Sequence, residues 1–147
     1  MYGTLAIAPV LIPAMSFLSA WQYYPNLASV QLIWSGVLVT YFAGMRFGLS
    51  LVDVGFPNKQ TSLHCGLPML FCWGTMMMPA PVAYLGAMSG LFSTVYFDHI
   101  STVYPETFHA IRVFFTLVAV GALAVGFFSS ATLLPRVEAS VGREEKL

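Results

Sequence analysis

The chain has 147 residues, of which 58% are hydrophobic and only 8% are charged, and its formal net charge is zero. A soluble domain carries about 25% Asp, Glu, Lys and Arg. The composition therefore excludes a soluble domain of this size, whose surface would have to face water. A neutral chain without a basic stripe also excludes nucleic acid as a partner. We predict an all-α fold, a polytopic transmembrane helix bundle.

The N-terminal region enters an apolar segment almost at once. The first charged side chain is Arg46, and about 18 apolar residues already suffice to predict a spanning helix. The sequence starts with neither a basic segment and small-residue cleavage site nor an Arg-rich, Ser-rich presequence. We expect either a mature form or a chain that its internal helices direct to the membrane.

The first half of the chain predicts two spans, at about residues 3–24 and 27–52. The first contains Pro9 and Pro13, which kink a membrane helix without excluding it. It ends in aromatic residues with polar tips, which are typical of a membrane interface. Within the second, Arg46 is the only charged residue.

After a polar link, the uncharged stretch 63–97 is too long for a single crossing. As one helix it would extend roughly 50 Å, against a hydrocarbon core of about 30 Å. The sequence Pro79-Ala80-Pro81 interrupts it, because proline has no amide donor with which to continue a helix. We therefore predict a hairpin of two short spans, at about 63–78 and 81–97.

The last predicted span covers about residues 107–134. Pro105 and Glu106 suit its start, with proline in the first turn and an acid near the positive end of the helix dipole. Pro135 is expected to close it, which leaves a polar tail at 135–147.

These segments add up to about five spans, with four as the alternative if the middle pair is re-entrant. Five spans place the two termini on opposite sides of the membrane. The basic residues in the loops are too few and too evenly divided to orient the chain.

Four charged residues form a predicted structural polar cluster: Arg46, Asp53, Asp98 and Arg112. A charge in the middle of a span costs about 2.5–3.5 kcal/mol on insertion scales. Five spans bring all four residues near one membrane face, where they would clamp the second, fourth and fifth helices together. Alternatively, Arg46 extends to the lipid headgroups, or the cluster belongs to a proton path. A single layer of charges does not continue such a path across the membrane.

Two G-x-x-x-G motifs predict close helix packing, one at Gly44 and Gly48 and one at Gly86 and Gly90. Glycines four residues apart share a helix face and allow another backbone to approach. We expect packing within this chain, with dimerisation as the alternative.

The cysteines and histidines predict no metal site and no cofactor. Cys65 and Cys72 are seven residues apart, so they share a helix face but do not form a metal motif, and we interpret them as packed thiols. Two histidines can ligate a haem, but His64, His99 and His109 all lie at or outside predicted span ends. The nearest methionine cluster is too far along the helix from His64 to share a copper ion. No nucleophile–base arrangement or phosphate loop is present, so we expect no enzyme.

Several segments resemble one family of membrane proteins. The second span ends in the sequence 41–48, Y-F-A-G-M-R-F-G, and the third begins around 67–73, L-P-M-L-F-C-W. The fourth ends with Asp98, and Arg112 precedes the run F-F-T-L at 114–117. Over residues 3–134 the chain resembles the small five-span family of unknown function that includes mitochondrial transmembrane protein 69 and bacterial relatives.

The resemblance implies a membrane location but no reaction. In that family the second helix typically closes with G-G-x-R-W-G; here Ala43 replaces the first glycine and Phe47 the tryptophan. The family also places an acid at the end of the fourth helix and a basic residue at the start of the fifth. It brings no known substrate or cofactor, and it implies the mitochondrial inner membrane.

The sequence therefore leaves two candidate functions. The first is a non-catalytic accessory subunit of a mitochondrial respiratory-chain complex, with other membrane subunits and lipids as its partners. The second is a small transporter or channel organised around the Arg/Asp cluster, although the chain shows no internal repeat of the kind that transporters usually carry.

Overall fold

The computed structural model describes residues 2–20, 24–54, 59–101 and 106–144. These ranges form five helices: α1 (Tyr2–Ala20), α2 (Pro25–Val54), α3 (Lys59–Thr75), α4 (Ala80–Ser101) and α5 (Glu106–Glu144). The described part of the chain contains no strand, so the predicted all-α fold is confirmed.

Three of these helices are long and apolar enough to cross a membrane, at Pro25–Val52, Ala80–Ile100 and Thr107–Thr132. In α1 the described side chains give a shorter apolar stretch, Ala8–Ser19. The helix α3 has 17 residues and starts with a polar turn. The protein is therefore an integral membrane protein by the length and composition of its helices, and full crossing by α1 and α3 stays a prediction.

The bundle is organised around α2 and α4, which pack against each other. The helix α1 lies against α2 and α5, whereas α3 lies on the other side, against α2 and α4. In a membrane, helices associate through close packing rather than through the hydrophobic effect. The core accordingly contains many small and branched side chains: Val10, Ala14, Phe17, Ala28, Leu38, Val39, Cys72, Tyr84, Ala87, Leu91, Ala119, Ala122 and Leu123.

Contacts between α2 and α3 include a hydrogen bond in which Trp73 Nε1 donates to Thr40 Oγ1 at 3.0 Å. The ring of His64 in α3 also stacks on that of Phe97 in α4, with 4.3 Å between ring centres and 9° between planes. These contacts attach α3 to both central helices.

The hairpin predicted between the third and fourth helices is confirmed. The helix α3 ends at Thr75, and Met78 N donates to the Thr75 carbonyl at 3.0 Å in the turn that follows. The Pro79 carbonyl then accepts hydrogen bonds from Val82 N at 2.9 Å and Ala83 N at 3.1 Å, which starts α4. The turn is slightly earlier than predicted because Pro81 fits the first helical turn, where its missing amide is not needed.

The bounds of α2, α3 and α4 also differ from those of the predicted spans. The helix α2 begins at Pro25, two residues before the predicted 27, and Ala28 N donates to the Tyr24 carbonyl at 3.0 Å. Both α3 and α4 extend beyond their predicted spans, α3 at its start to Lys59 and α4 at its end to Ser101. Hydropathy predicts the apolar part of a helix, whereas backbone hydrogen bonding continues through the polar residues that flank it.

The expectation that Pro135 closes the last helix is wrong. The helix α5 continues through Pro135 to Glu144. A proline inside a helix removes one hydrogen bond and bends the axis, but the following residues can remain helical. The same holds in this chain for Pro9 and Pro13 in α1 and for Pro68 in α3.

Candidate functional site: a buried charged cluster

Three charged side chains from three helices meet inside the bundle. Arg46 lies on α2, Asp98 in the last turn of α4, and Arg112 on α5. The Arg112 Nη2 atom is 2.8 Å from Asp98 Oδ2, and the Arg46 Nη1 atom is 3.6 Å from Asp98 Oδ1. We call these three residues the charged cluster.

The charged cluster is almost completely buried. The exposed fractions of its side chains are 5% for Arg46, 1% for Asp98 and 3% for Arg112. A carboxylate in the last turn of a helix is also disfavoured by the negative end of the helix dipole. Asp98 therefore depends on the two guanidinium groups, and each guanidinium depends on Asp98.

Aromatic rings cover both guanidinium groups. The Arg112 Cζ atom lies 4.5 Å from the centre of the Phe42 ring, and the Arg46 Cζ atom lies 5.8 Å from that of Phe97. Such contacts stabilise a cation, by about 2 kcal/mol or more when it is desolvated. The rings thus compensate in part for the removal of these charges from water.

The two arginines are bound unequally. At 3.6 Å the contact of Arg46 with Asp98 is an ion pair without hydrogen-bond geometry. Its Nε and Nη1 atoms are buried and have no hydrogen-bond partner among the described residues. The hydroxyl of Thr116, one helical turn after Arg112, is likewise buried and without such a partner. Because its contact with Asp98 is longer, Arg46 is the less firmly held of the two cations.

Asp53, the fourth residue of the predicted cluster, lies outside the described side chains. The helix α2 includes it, but only its backbone is described.

The two glycine motifs differ in their surroundings. A Cβ on Gly86 would collide with Thr75, and one on Gly90 would lie 3.1 Å from Cys72 Cβ. These glycines bring α4 against α3. A Cβ on Gly44 or Gly48 would meet no atom within 4 Å. That pair lies on the outer surface of α2, where the expected packing within this chain does not occur among the described residues.

Sequence reasoning missed a second polar site, formed around Gln31. The Gln31 Nε2 atom donates to the carbonyls of Val10 and Ala122, each at 3.0 Å, and its Oε1 accepts from the Tyr84 hydroxyl at 3.0 Å. Gln31 and Tyr84 are fully buried. This amide site joins α1, α2, α4 and α5. The sequence feature that could have revealed this site is the uncharged amide of Gln31 within an apolar span.

An apolar layer separates the amide site from the charged cluster. Gln31 and Arg46 are 15 residues apart on α2, or about 22 Å along the helix. The residues between these levels include the buried apolar side chains Val39, Leu91 and Ala119. The two polar sites are thus separate features of the bundle interior.

The remaining candidate ligands are distributed along α3, α4 and α5. Cys65 and Cys72 are buried free thiols, in keeping with their interpretation as packed residues. The rings of His99 and His109 approach each other, with 5.6 Å between their centres. Over the described ranges, no three His, Cys, Asp or Glu side chains gather into a set that could hold a metal ion.

The fold and the site define a helical integral membrane protein whose central helices are joined by a buried charged cluster. The chain belongs to the family described as "Protein of unknown function (DUF3429)", with a match over residues 1–128. It is 25% identical over 118 residues to "Transmembrane protein 69" of Xenopus tropicalis. These findings confirm the family resemblance.

The aligned region covers 77% of this chain and 46% of Transmembrane protein 69, so the chain spans about half the length of that relative. No solved structure matches the chain.

Proposed function

We propose that this protein is a non-catalytic accessory subunit of a larger membrane complex, and more specifically of a respiratory-chain complex of the mitochondrial inner membrane. The mitochondrial setting rests on the family resemblance of the sequence. The accessory role rests on two features of the bundle, an open seam on α2 and a closed interior. Its partners would be other membrane subunits and lipids.

The observation that carries the proposal is a seam of exposed residues on α2. Five exposed residues follow one another along α2 at alternating steps of four and three residues: Val37, Tyr41, Gly44, Gly48 and Leu51. This spacing keeps side chains on one face of a helix that packs against a neighbour at a small angle. The open space at Gly44 and Gly48 would let another backbone approach closely. We call these five residues the α2 seam.

The closed interior supports a structural rather than a chemical role for the charged cluster. Its three side chains connect α2, α4 and α5, and aromatic rings cover both cations. The apolar layer around Val39 and Leu91 lies between it and the other polar site. A clamp of this kind would hold α2 in the orientation that presents the seam.

The experiment compares two variants that carry leucine at open glycines. Gly44→Leu combined with Gly48→Leu fills the α2 seam, whereas Gly121→Leu on α5 is the matched control, because Gly121 is also exposed and open. Native gels and affinity purification from mitochondria measure how much of each variant migrates with a large respiratory assembly. Detergent melts of the purified chain check that each variant still folds.

We expect the seam variant to be lost from the assembly, although the purified variant melts at the wild-type temperature. The Gly121→Leu control should remain in the assembly. A seam variant that stays in the assembly at the wild-type level contradicts the role of the seam. A wild-type chain that migrates with no large assembly contradicts the accessory function itself.

A small transporter organised around the charged cluster is the second candidate function. It is favoured by the buried Nε and Nη1 atoms of Arg46, which have no hydrogen-bond partner among the described residues. Arg46→Leu separates the two functions. An accessory subunit should lose assembly or stability, and whatever complex survives should turn over normally at equal content. Intact assembly with abolished proton pumping or transport would favour the transporter.

A further inference from the structure

Two histidines that the charged cluster does not use lie opposite each other at one end of the bundle. His99 is near the end of α4 and His109 near the start of α5, and their ring centres are 5.6 Å apart with 31° between the ring planes. His99 is exposed and His109 is partly exposed. Both lie at the ends of their apolar stretches, Ala80–Ile100 and Thr107–Thr132, which places the space beside them at the boundary of the membrane.

We propose that His99 and His109 together bind a divalent transition-metal ion of the Zn²⁺ and Cu²⁺ class. Bonds of about 2.0–2.1 Å from a ring nitrogen to zinc place two imidazole centres that share one ion roughly 5–6 Å apart. The 5.6 Å between the two ring centres falls in this range. Imidazole is a preferred ligand of zinc, copper and nickel, whereas magnesium and calcium prefer oxygen.

The surroundings fit a weak, open site rather than a closed structural one. No third His, Cys, Asp or Glu side chain joins this pair within the described ranges. Water would complete the coordination, as it does at open zinc positions. The site would differ in this respect from the closed sets of four protein ligands that hold structural zinc.

The charged cluster beside the pair has two opposite effects on a bound cation. The Asp98 carboxylate directly precedes His99 in the chain, and its negative charge favours a cation nearby. Arg112 and Arg46 oppose it, although Arg112 Nη2 is bound to that carboxylate at 2.8 Å. The net result is a modest affinity, with the ion joining the end of α4 to the start of α5.

The third histidine provides a matched control. His64 belongs to α3, and its ring is stacked on Phe97 with 4.3 Å between centres. The variants His99→Gln and His109→Gln each leave one imidazole of the pair, whereas His64→Gln leaves both. All three remove the same side chain from the end region of a helix.

The test is the thermal unfolding of the purified full chain in detergent, with and without Zn²⁺, and with Mg²⁺ as the control ion. We expect Zn²⁺ at several times its Kd to raise the midpoint by roughly 2–4 °C in the wild type and in His64→Gln. The increase should disappear in His99→Gln and in His109→Gln, and Mg²⁺ should have no effect. An equal increase in all four proteins, or none in the wild type, overturns the proposal.

A second measurement does not depend on the folding of any variant. Cu²⁺ bound to the wild-type chain in vesicles gives an electron paramagnetic resonance spectrum whose nitrogen couplings count the imidazole ligands. Two equivalent nitrogens per ion support the paired site. One nitrogen, or none, overturns it and assigns the ion to a lone surface histidine or to other ligands.

Discussion

The charged cluster and the amide site connect overlapping sets of helices by different physical means. The charged cluster joins α2, α4 and α5 through one carboxylate and two cations, and part of its hydrogen-bonding capacity is unused in Arg46. The amide site adds α1 and contains no charge. There, Gln31 uses both a donor and an acceptor group in bonds of 3.0 Å.

The two sites differ in how much stability the protein loses when one of their side chains is removed. A buried ion pair contributes little net stability when it is intact, but an unpaired buried charge is very unfavourable. Hydrogen bonds between membrane helices are weaker on average, about 0.6 kcal/mol each. We infer that the charged cluster is sensitive to single substitutions, whereas the amide site depends mainly on how closely its side chains pack.

Removal of the central carboxylate should have the largest effect. Asp98→Asn leaves two buried guanidinium groups without their counter-ion, and we expect a loss of about 3–5 kcal/mol in the free energy of unfolding. Unfolding of the purified chain in mixed detergent micelles measures it. Combining Arg46→Met, Asp98→Leu and Arg112→Met should recover much of the loss, because no charge then remains buried. An Asp98→Asn variant as stable as the wild type would mean that the cluster does not depend on its carboxylate.

Packing at the amide site should give the next largest effect. A Cβ on Gly126 would lie 2.6 Å from both Gln31 Oε1 and Tyr84 Cε1. Gly126→Ala should therefore force these two side chains apart and destabilise the bundle by about 1–3 kcal/mol. The same detergent titration measures it, with Gly121→Ala as the control on the same helix. Equal stability of the two variants would show that the site adapts without strain.

Removal of a single hydrogen bond from the amide site should have a smaller effect. Tyr84→Phe deletes the hydroxyl that donates to Gln31 Oε1 while the ring remains in place. We expect a loss of about 0.6–1.5 kcal/mol, since the bond is neutral and one acceptor is left unsatisfied. A loss as large as that of Asp98→Asn would remove the distinction between the two polar sites.

Substitution on the α2 seam should have the smallest effect on the isolated chain. Gly44→Ala adds a methyl group where no atom lies within 4 Å, so the free energy of unfolding should change by less than about 0.5 kcal/mol. The thermal unfolding midpoint of the variant, measured first on the purified chain and then in its native membrane, provides the check. A large destabilisation of the isolated chain would mean that the seam is not an open surface.

The features that depend on strong local signals could be predicted from the sequence. Charges stand out in apolar runs, so the amino-acid sequence alone suffices to select Arg46, Asp98 and Arg112. Pro79 and Pro81 also predict the hairpin, because two missing amide donors fall within a stretch that is too long for one crossing. Proline alone is a weaker signal, since Pro68 and Pro135 lie inside helices.

Other features depend on which face of a helix points inward, and the sequence does not contain that information directly. The motifs at Gly44 and Gly86 have the same spacing, yet one is open and the other is packed. Gln31 gives no comparable signal, because two of its three partners are backbone carbonyls, which every residue possesses. The approach of His99 and His109 likewise follows from how α4 and α5 meet.

The position of α3 at the edge of the bundle has a consequence for local dynamics. Among the described residues α3 packs against α2 and α4 alone, and the Trp73 hydrogen bond to Thr40 is one of its attachments. The remaining four helices can stay packed while α3 detaches, so α3 can open locally before the whole bundle unfolds. Amide hydrogens of α3 should exchange with solvent before those of α2 and α4. The indole of Trp73, which would lose a hydrogen-bond acceptor in that event, provides a built-in fluorescent reporter of the detached state.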